Sequence, residues 1–174
     1  MTVELTINNS MSYTIAELNQ MNQAAFVEAL GAVFEHTPAI ARQAWSHRPF
    51  INVSDLHQKM VDVVQSLSQV EQLALIQAHP DLGSKAKMAD ASVKEQTGLG
   101  LDRLNAEEYE RFQLLNQAYK NKFGFPFIIA VKNHTKASIL EAFERRLQNT
   151  VNAEMAEALR EIAQIAKFRL MEMK

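Results

Sequence analysis

The sequence predicts an all-α protein: a single compact domain of about eight helices with one extended segment near residues 125–131. Three observations carry that expectation. The 174 residues include only five Gly and four Pro, and they are rich in Ala, Leu, Gln, Glu and Met, which favours helix. Polar residues stand three places before a Glu at Thr14–Glu17, Ser68–Glu71 and Asn105–Glu108, the spacing of a helix-starting capping box. Against that background, "FGFPFIIAV" at 123–131 is a β-branched run with its own proline.

The elements follow in order. The first dozen residues, MTVELTINNSMS, have no basic-then-apolar leader and read as a loose tail. A flexible tail over 1–13 and one helical domain over 14–174 are therefore expected. Helices are predicted near 14–19 and 22–30, then near 38–47, where Pro38 suits a first turn. Two more follow near 54–66 and 68–78. Pro80 disfavours helical backbone at the residue before it, so the fifth helix stops at His79. The stretch 79–104 is polar and irregular, with one short helix around 92–98. A long helix near 105–122 ends at Gly124, and the residues after Pro126 call for extended backbone. Helices near 135–149 and 153–172 complete the chain, without internal repeats or linkers.

Several function classes are excluded. The net charge is −2 with the two signs intermixed, so there is no basic stripe for nucleic acid, and a helix-turn-helix reading fails. With no Cys there are no disulfides, thiol nucleophiles or thiolate metal sites, which suits a cytoplasmic protein. No run approaches the roughly 18 apolar residues of a membrane span. The sequence has neither a Gly-rich phosphate loop nor a G-x-S-x-G elbow. No His pairs with a carboxylate at helical zinc spacing, so no catalytic metal is expected. His36 and His134 read as helix-boundary residues, His47 and His57 as surface ones, and the Met residues as packing.

Three places invite chemistry. In the last helix Met155, Leu159, Ile162, Ala166 and Met173 recur at helical spacing, and Arg169 falls on the same stripe. A buried guanidinium is costly unless an anion meets it. Arg169 therefore either snorkels to solvent or meets a carboxylate, from the fold or from a ligand. His79, at a helix end before Pro80, is either a capping residue or an imidazole presented to a cavity. Glu95 completes a capping box with Ser92; alternatively, Glu95 and Gln96 orient a His and bind an amide-rich ligand.

Taken together, "FEHTPAIARQAWSHRPF" (34–50), "AHPDLG" (78–83), "SVKEQTGL" (92–99), "YKNKFGFPFIIAV" (119–131) and "KFRL" (167–170) resemble one family. It is the 2-oxo-4-hydroxy-4-carboxy-5-ureidoimidazoline (OHCU) decarboxylases, which make (S)-allantoin in urate breakdown. The resemblance runs from about residue 14 to the end. It implies that His79 is the catalytic acid, that Pro80 lines the pocket, and that Glu95 and Gln96, in the segment opened by Ser92, serve the site. It also implies that the backbone of Phe127, Ile128, Ile129, Ala130 and Val131 contacts substrate, and that Arg169 receives the substrate's carboxylate. Two positions depart from the family pattern: Ala39 replaces a common Trp, and Thr97 begins what is usually an A-G-L triplet.

The family's substrate carries its carboxylate beside a C=N bond, an electron sink of its own, so no cofactor is expected. His79 would donate the proton, with Glu95 holding its ring and favouring the imidazolium. A homodimer is implied, with surfaces such as 14–30 for the contact. The rival reading is a non-catalytic helical module that binds a ureide or a partner protein. It has no need of an imidazole at position 79.

Overall fold

Capping chemistry sets the helix boundaries. The computed structural model describes residues 13–83 and 90–172, and among these the chain forms nine α-helices and no strand. The expected tail falls on residues 1–12, outside the described residues, while Tyr13 packs half-buried against the core. α1 (Ile15–Gln20) begins where the Glu17 N–H donates to Thr14 Oγ1, and α2 (Gln23–Leu30) is capped by Asn22. α3 (Ala39–Ala44) follows Pro38 and tightens into a 3₁₀ turn over Trp45–His47, so the helix expected to 47 ends early. α4 (Val53–Ser66) is capped by Asn52, and α5 (Gln69–Gln77) by a complete Ser68–Glu71 box. α6 (Asp90–Leu99) contains the expected short helix.

α7 (Ala106–Phe123) starts at an Asn105–Glu108 box and stops at Gly124 (φ 81°), a left-handed position that glycine occupies without strain. The extended stretch follows and closes in a 3₁₀ turn over Val131–Asn133. α8 (Lys136–Arg146) ends three residues short of expectation because the chain turns at 147–149, and α9 (Val151–Glu172) starts two residues early.

α9 is the axis, packing against α4, α5 and α7, while α3 joins α2 to α4. Its buried face is Glu154, Ala158, Ile162, Ala166, Arg169 and Leu170. At its start the predicted stripe is off by about one residue: Met155 and Leu159 are only half-buried, and Met173 lies outside the described residues. The stripe holds at Ile162, Ala166 and Arg169, and apolar periodicity misplaced only its start, which a carboxylate opens. Glu154 is fully buried, taking hydrogen bonds from Arg146 Nε (2.7 Å), the Tyr119 hydroxyl (2.6 Å) and Asn149 Nδ2 (2.9 Å). His57 is likewise not a free surface residue; its Nε2 meets the Ala163 carbonyl at 2.8 Å and ties α4 to α9. An aromatic cluster of Tyr119, Phe123, Phe125, Phe127 and Phe143 seats the extended stretch against α7 and α8, with Phe127 stacked on Phe143 at 3.7 Å between centroids.

Candidate active site

The C-terminal end of α5 delivers His79. Its backbone N–H still donates to the Ile76 carbonyl, and then Pro80 takes the chain away. The turn that follows is pinned from several sides. Asn116 of α7 donates to the Leu82 carbonyl at 2.8 Å, Lys120 pairs with Asp81 at 2.9 Å, and the Gly83 N–H donates to Gln96 Oε1 at 3.0 Å. Gly83 has φ 68°, and a Cβ there would come within 2.8 Å of Leu104, so the turn depends on glycine.

His79 is only 7% exposed. Its Nδ1 lies 2.9 Å from the Leu75 carbonyl. A carbonyl can only accept, so Nδ1 carries the hydrogen and Nε2 is left with its lone pair. Burial pushes the imidazole down to about 4; the Leu75 bond and the charge of Glu35 pull the other way, without prevailing. The ring is thus neutral near pH 7. This corrects the expectation of a standing imidazolium held by Glu95, because the ring's partner is a backbone carbonyl.

Glu95 is committed elsewhere. Arg169, 5% exposed, grips it with a two-pronged fork, Nε to Oε2 at 3.0 Å and Nη2 to Oε1 at 2.8 Å. The same Nη2 reaches Glu35 Oε2 at 3.0 Å and Ser92 Oγ at 3.1 Å, while Ser92 donates to Glu35 at 2.7 Å. Nη1 faces the Ala32 and Val33 carbonyls at 3.5 and 3.3 Å. Every guanidinium nitrogen therefore has a protein partner. Of the two readings of Arg169, burial among carboxylates is the one observed. The anion expected from the ligand is supplied by the fold. Burial opposes the Arg169 charge, but Glu95 and Glu35 overrule it and hold the proton more tightly than usual. Glu35 is held below the ordinary carboxylate range despite burial, by the Ser92 hydrogen bond and by Arg169.

The sequence reading passed over Glu35. Its signal lay in Arg169 itself, whose stripe demanded an anion, and in a carboxylate set directly after Val33 and Phe34.

The fourth wall is the extended stretch. Arg146 of α8 donates to the Ile128 carbonyl at 2.6 Å, and the Ala130 N–H donates to Glu161 of α9 at 3.0 Å. Alternate peptide groups of extended backbone face opposite sides, so Ile129, between these two, turns the other way. Among the described residues its N–H and C=O have no partner within the protein. One cavity, of about 480 Å³ including its open mouth, is lined by His79, Pro80, Ser92, Glu95, Gln96, residues 127–132 and Arg169, together with Ile165 and Phe168 of α9. All the residues singled out in the sequence thus meet in one place. Leu82, Lys132, Ile165 and Phe168, which also line the cavity, were not foreseen.

Comparison with known proteins gives the chain its relatives. A family model described as OHCU decarboxylase matches residues 19–171. The chain is 45% identical over 160 residues to 2-oxo-4-hydroxy-4-carboxy-5-ureidoimidazoline decarboxylase from Halalkalicoccus jeotgali, covering 92% of this chain and 91% of that one. It is 46% identical over 158 residues to the uric acid degradation bifunctional protein of Bacillus subtilis, covering 91% of this chain and 32% of that longer one. Among solved structures it matches (S)-allantoin synthase at TM-score 0.73 and 30% identity, over 92% of this chain and 54% of that one, about half its length. An OHCU decarboxylase crystallised in the presence of (S)-allantoin shares the fold at TM-score 0.65 and 23% identity, over 86% and 96% of the two chains.

Proposed function

Since the chain belongs to the OHCU decarboxylase family, we propose that it is a carboxy-lyase converting OHCU to (S)-allantoin in urate breakdown without a cofactor. The observation that supports this most directly is one cavity whose wall includes His79, with its Nδ1 held by the Leu75 carbonyl, the Arg169–Glu95 fork and the 127–131 backbone.

When the bond to the carboxylate breaks, its electron pair forms a C=C bond and displaces the neighbouring C=N pair onto nitrogen. CO2 leaves neutral. The hydroxyl proton and one further proton finish on the ring nitrogen and on the carbon bearing the ureido group. His79 supplies the further proton. It is neutral in the empty cavity, but a carboxylate brought into the same desolvated space favours the imidazolium, so the proton is taken up with the substrate. Nδ1 stays on the Leu75 carbonyl, which aims Nε2. Glu95, held rigid by Arg169, accepts from the substrate's N–H groups, and the NH2 of Gln96 donates to a carbonyl. The Ile129 peptide, offering a donor and an acceptor side by side, suits an amide edge.

The test is direct. Purified protein is mixed with freshly generated OHCU, and circular dichroism follows the appearance of (S)-allantoin. A rate well above spontaneous decay is expected; none would leave only a ureide-binding module. The domain over 14–174 acts as the unit. A homodimer working in the cytoplasm is proposed on the family resemblance; no helix among the described residues is long and apolar enough to cross a membrane.

A further inference from the structure

Charge in the cavity does not balance for an anionic substrate. Arg169 faces two carboxylates, Glu35 and Glu95, so that cluster carries one excess negative charge. Its guanidinium has no nitrogen to spare. His79 starts neutral. Proton uptake by His79 would only cancel that excess, so a carboxylate entering this space needs a further cation, and among the described residues the remaining cationic one on the cavity wall is Lys132.

Lys132 follows directly on the peptide edge, as the middle residue of the 3₁₀ turn. Its ammonium lies 5.7 Å from the centre of the Phe168 ring, which lines the same cavity. It is paired with Glu172 at the end of α9, and both side chains are partly in water, at 32% and 43% exposure. Such pairs contribute little and exchange easily. Glu172 also has a second cation, Lys94 of α6, at 4.0 Å. Lys132 can therefore leave Glu172 without stranding it.

We propose that Lys132 is the residue that receives the substrate's carboxylate, exchanging Glu172 for it while Arg169 stays bound to Glu35 and Glu95. The pairing is strongest in the ground state and fades as the carboxylate becomes CO2. The ammonium then returns to Glu172, and the neutral product loses its tether. Lys132 thus selects for a charged substrate and against retention of the product. This inference rests on the decarboxylase reading for the identity of the ligand, but its test does not need turnover.

The probes are hydantoin-5-acetate and its amide, two ligands of nearly the same shape of which only the first is charged, titrated calorimetrically into the full-length protein. The wild type is expected to prefer the acid. Lys132→Met should weaken the acid by roughly tenfold, the scale of one hydrogen bond to a charged group, and leave the amide within about twofold. Lys132→Arg should restore the preference, which a packing defect would not allow. Equal weakening of both probes, no weakening, or a wild type indifferent to the charge would each overturn the proposal. Turnover of OHCU by the wild type is scored separately. A charge preference that depends on Lys132 in a protein that makes no allantoin would retain the carboxylate site and remove the decarboxylase reading.

Discussion

An imidazole sealed behind Pro80 and bonded to Leu75 resists protonation until about pH 4. The unfolded chain takes up that proton near pH 6.5. Between these values the unfolded state binds a proton that the folded state refuses, so stability falls with pH through this window, by up to about 3 kcal/mol. His79→Asn should therefore flatten the loss of stability between pH 6.5 and 4.5, read from urea midpoints, while lowering turnover by about 10²- to 10⁴-fold. A variant that keeps both the acid slope and the rate would remove His79 from the scheme. Binding of an anionic ligand should draw a proton from solution near pH 7, visible as a buffer-dependent heat; no dependence would contradict the proposed uptake. Arg169 behaves differently. An apolar residue there matches the stripe, yet Arg169→Met would bury Glu35 and Glu95 without their partner, at a cost of about 3–5 kcal/mol. Arg169→Lys keeps the charge but loses the fork, so thermal melting should show it as more than a mild change. His79 and Arg169 were legible because each broke a local pattern. Glu35 was not, since it meets Arg169 across 134 positions of sequence, a distance periodicity does not span.

The elements show the same division. Caps at Thr14, Ser68, Asn105 and Gly124 were readable because capping involves neighbours in sequence. The burial of Glu154 was hidden, since it depends on Arg146 and Tyr119 arriving from α8 and α7. That buried trio also fixes the extended stretch. Arg146 binds the Ile128 carbonyl and lies 4.4 Å from the centre of the Phe127 ring. Arg146→Met strands Glu154 and releases Ile128, so a loss of about 3–5 kcal/mol is expected in melting. Binding of (S)-allantoin by the surviving folded protein should weaken with it. Melting that changes while binding does not would separate the trio from the cavity.

Across the whole molecule, the cavity is assembled from segments far apart in sequence: the end of α5, α6, the extended stretch and α9, with Glu35 between α2 and α3 behind them. The all-α class and the segments involved could be read from composition and motif. How their charges pair could not, because pairing follows from packing. Since the substrate carries its own electron sink, treatment with a chelator should leave turnover unchanged; a loss that added metal restores would refute the cofactor-free scheme. The Ile129 peptide edge has a consequence for evolution and for inhibitor design. A side-chain contact can be erased by one nucleotide change, whereas a main-chain N–H survives every substitution except proline, and a main-chain carbonyl survives all of them. Recognition at this wall is therefore shielded from drift in the gene, and a compound that copied the substrate's amide edge there would meet few single-step routes to resistance.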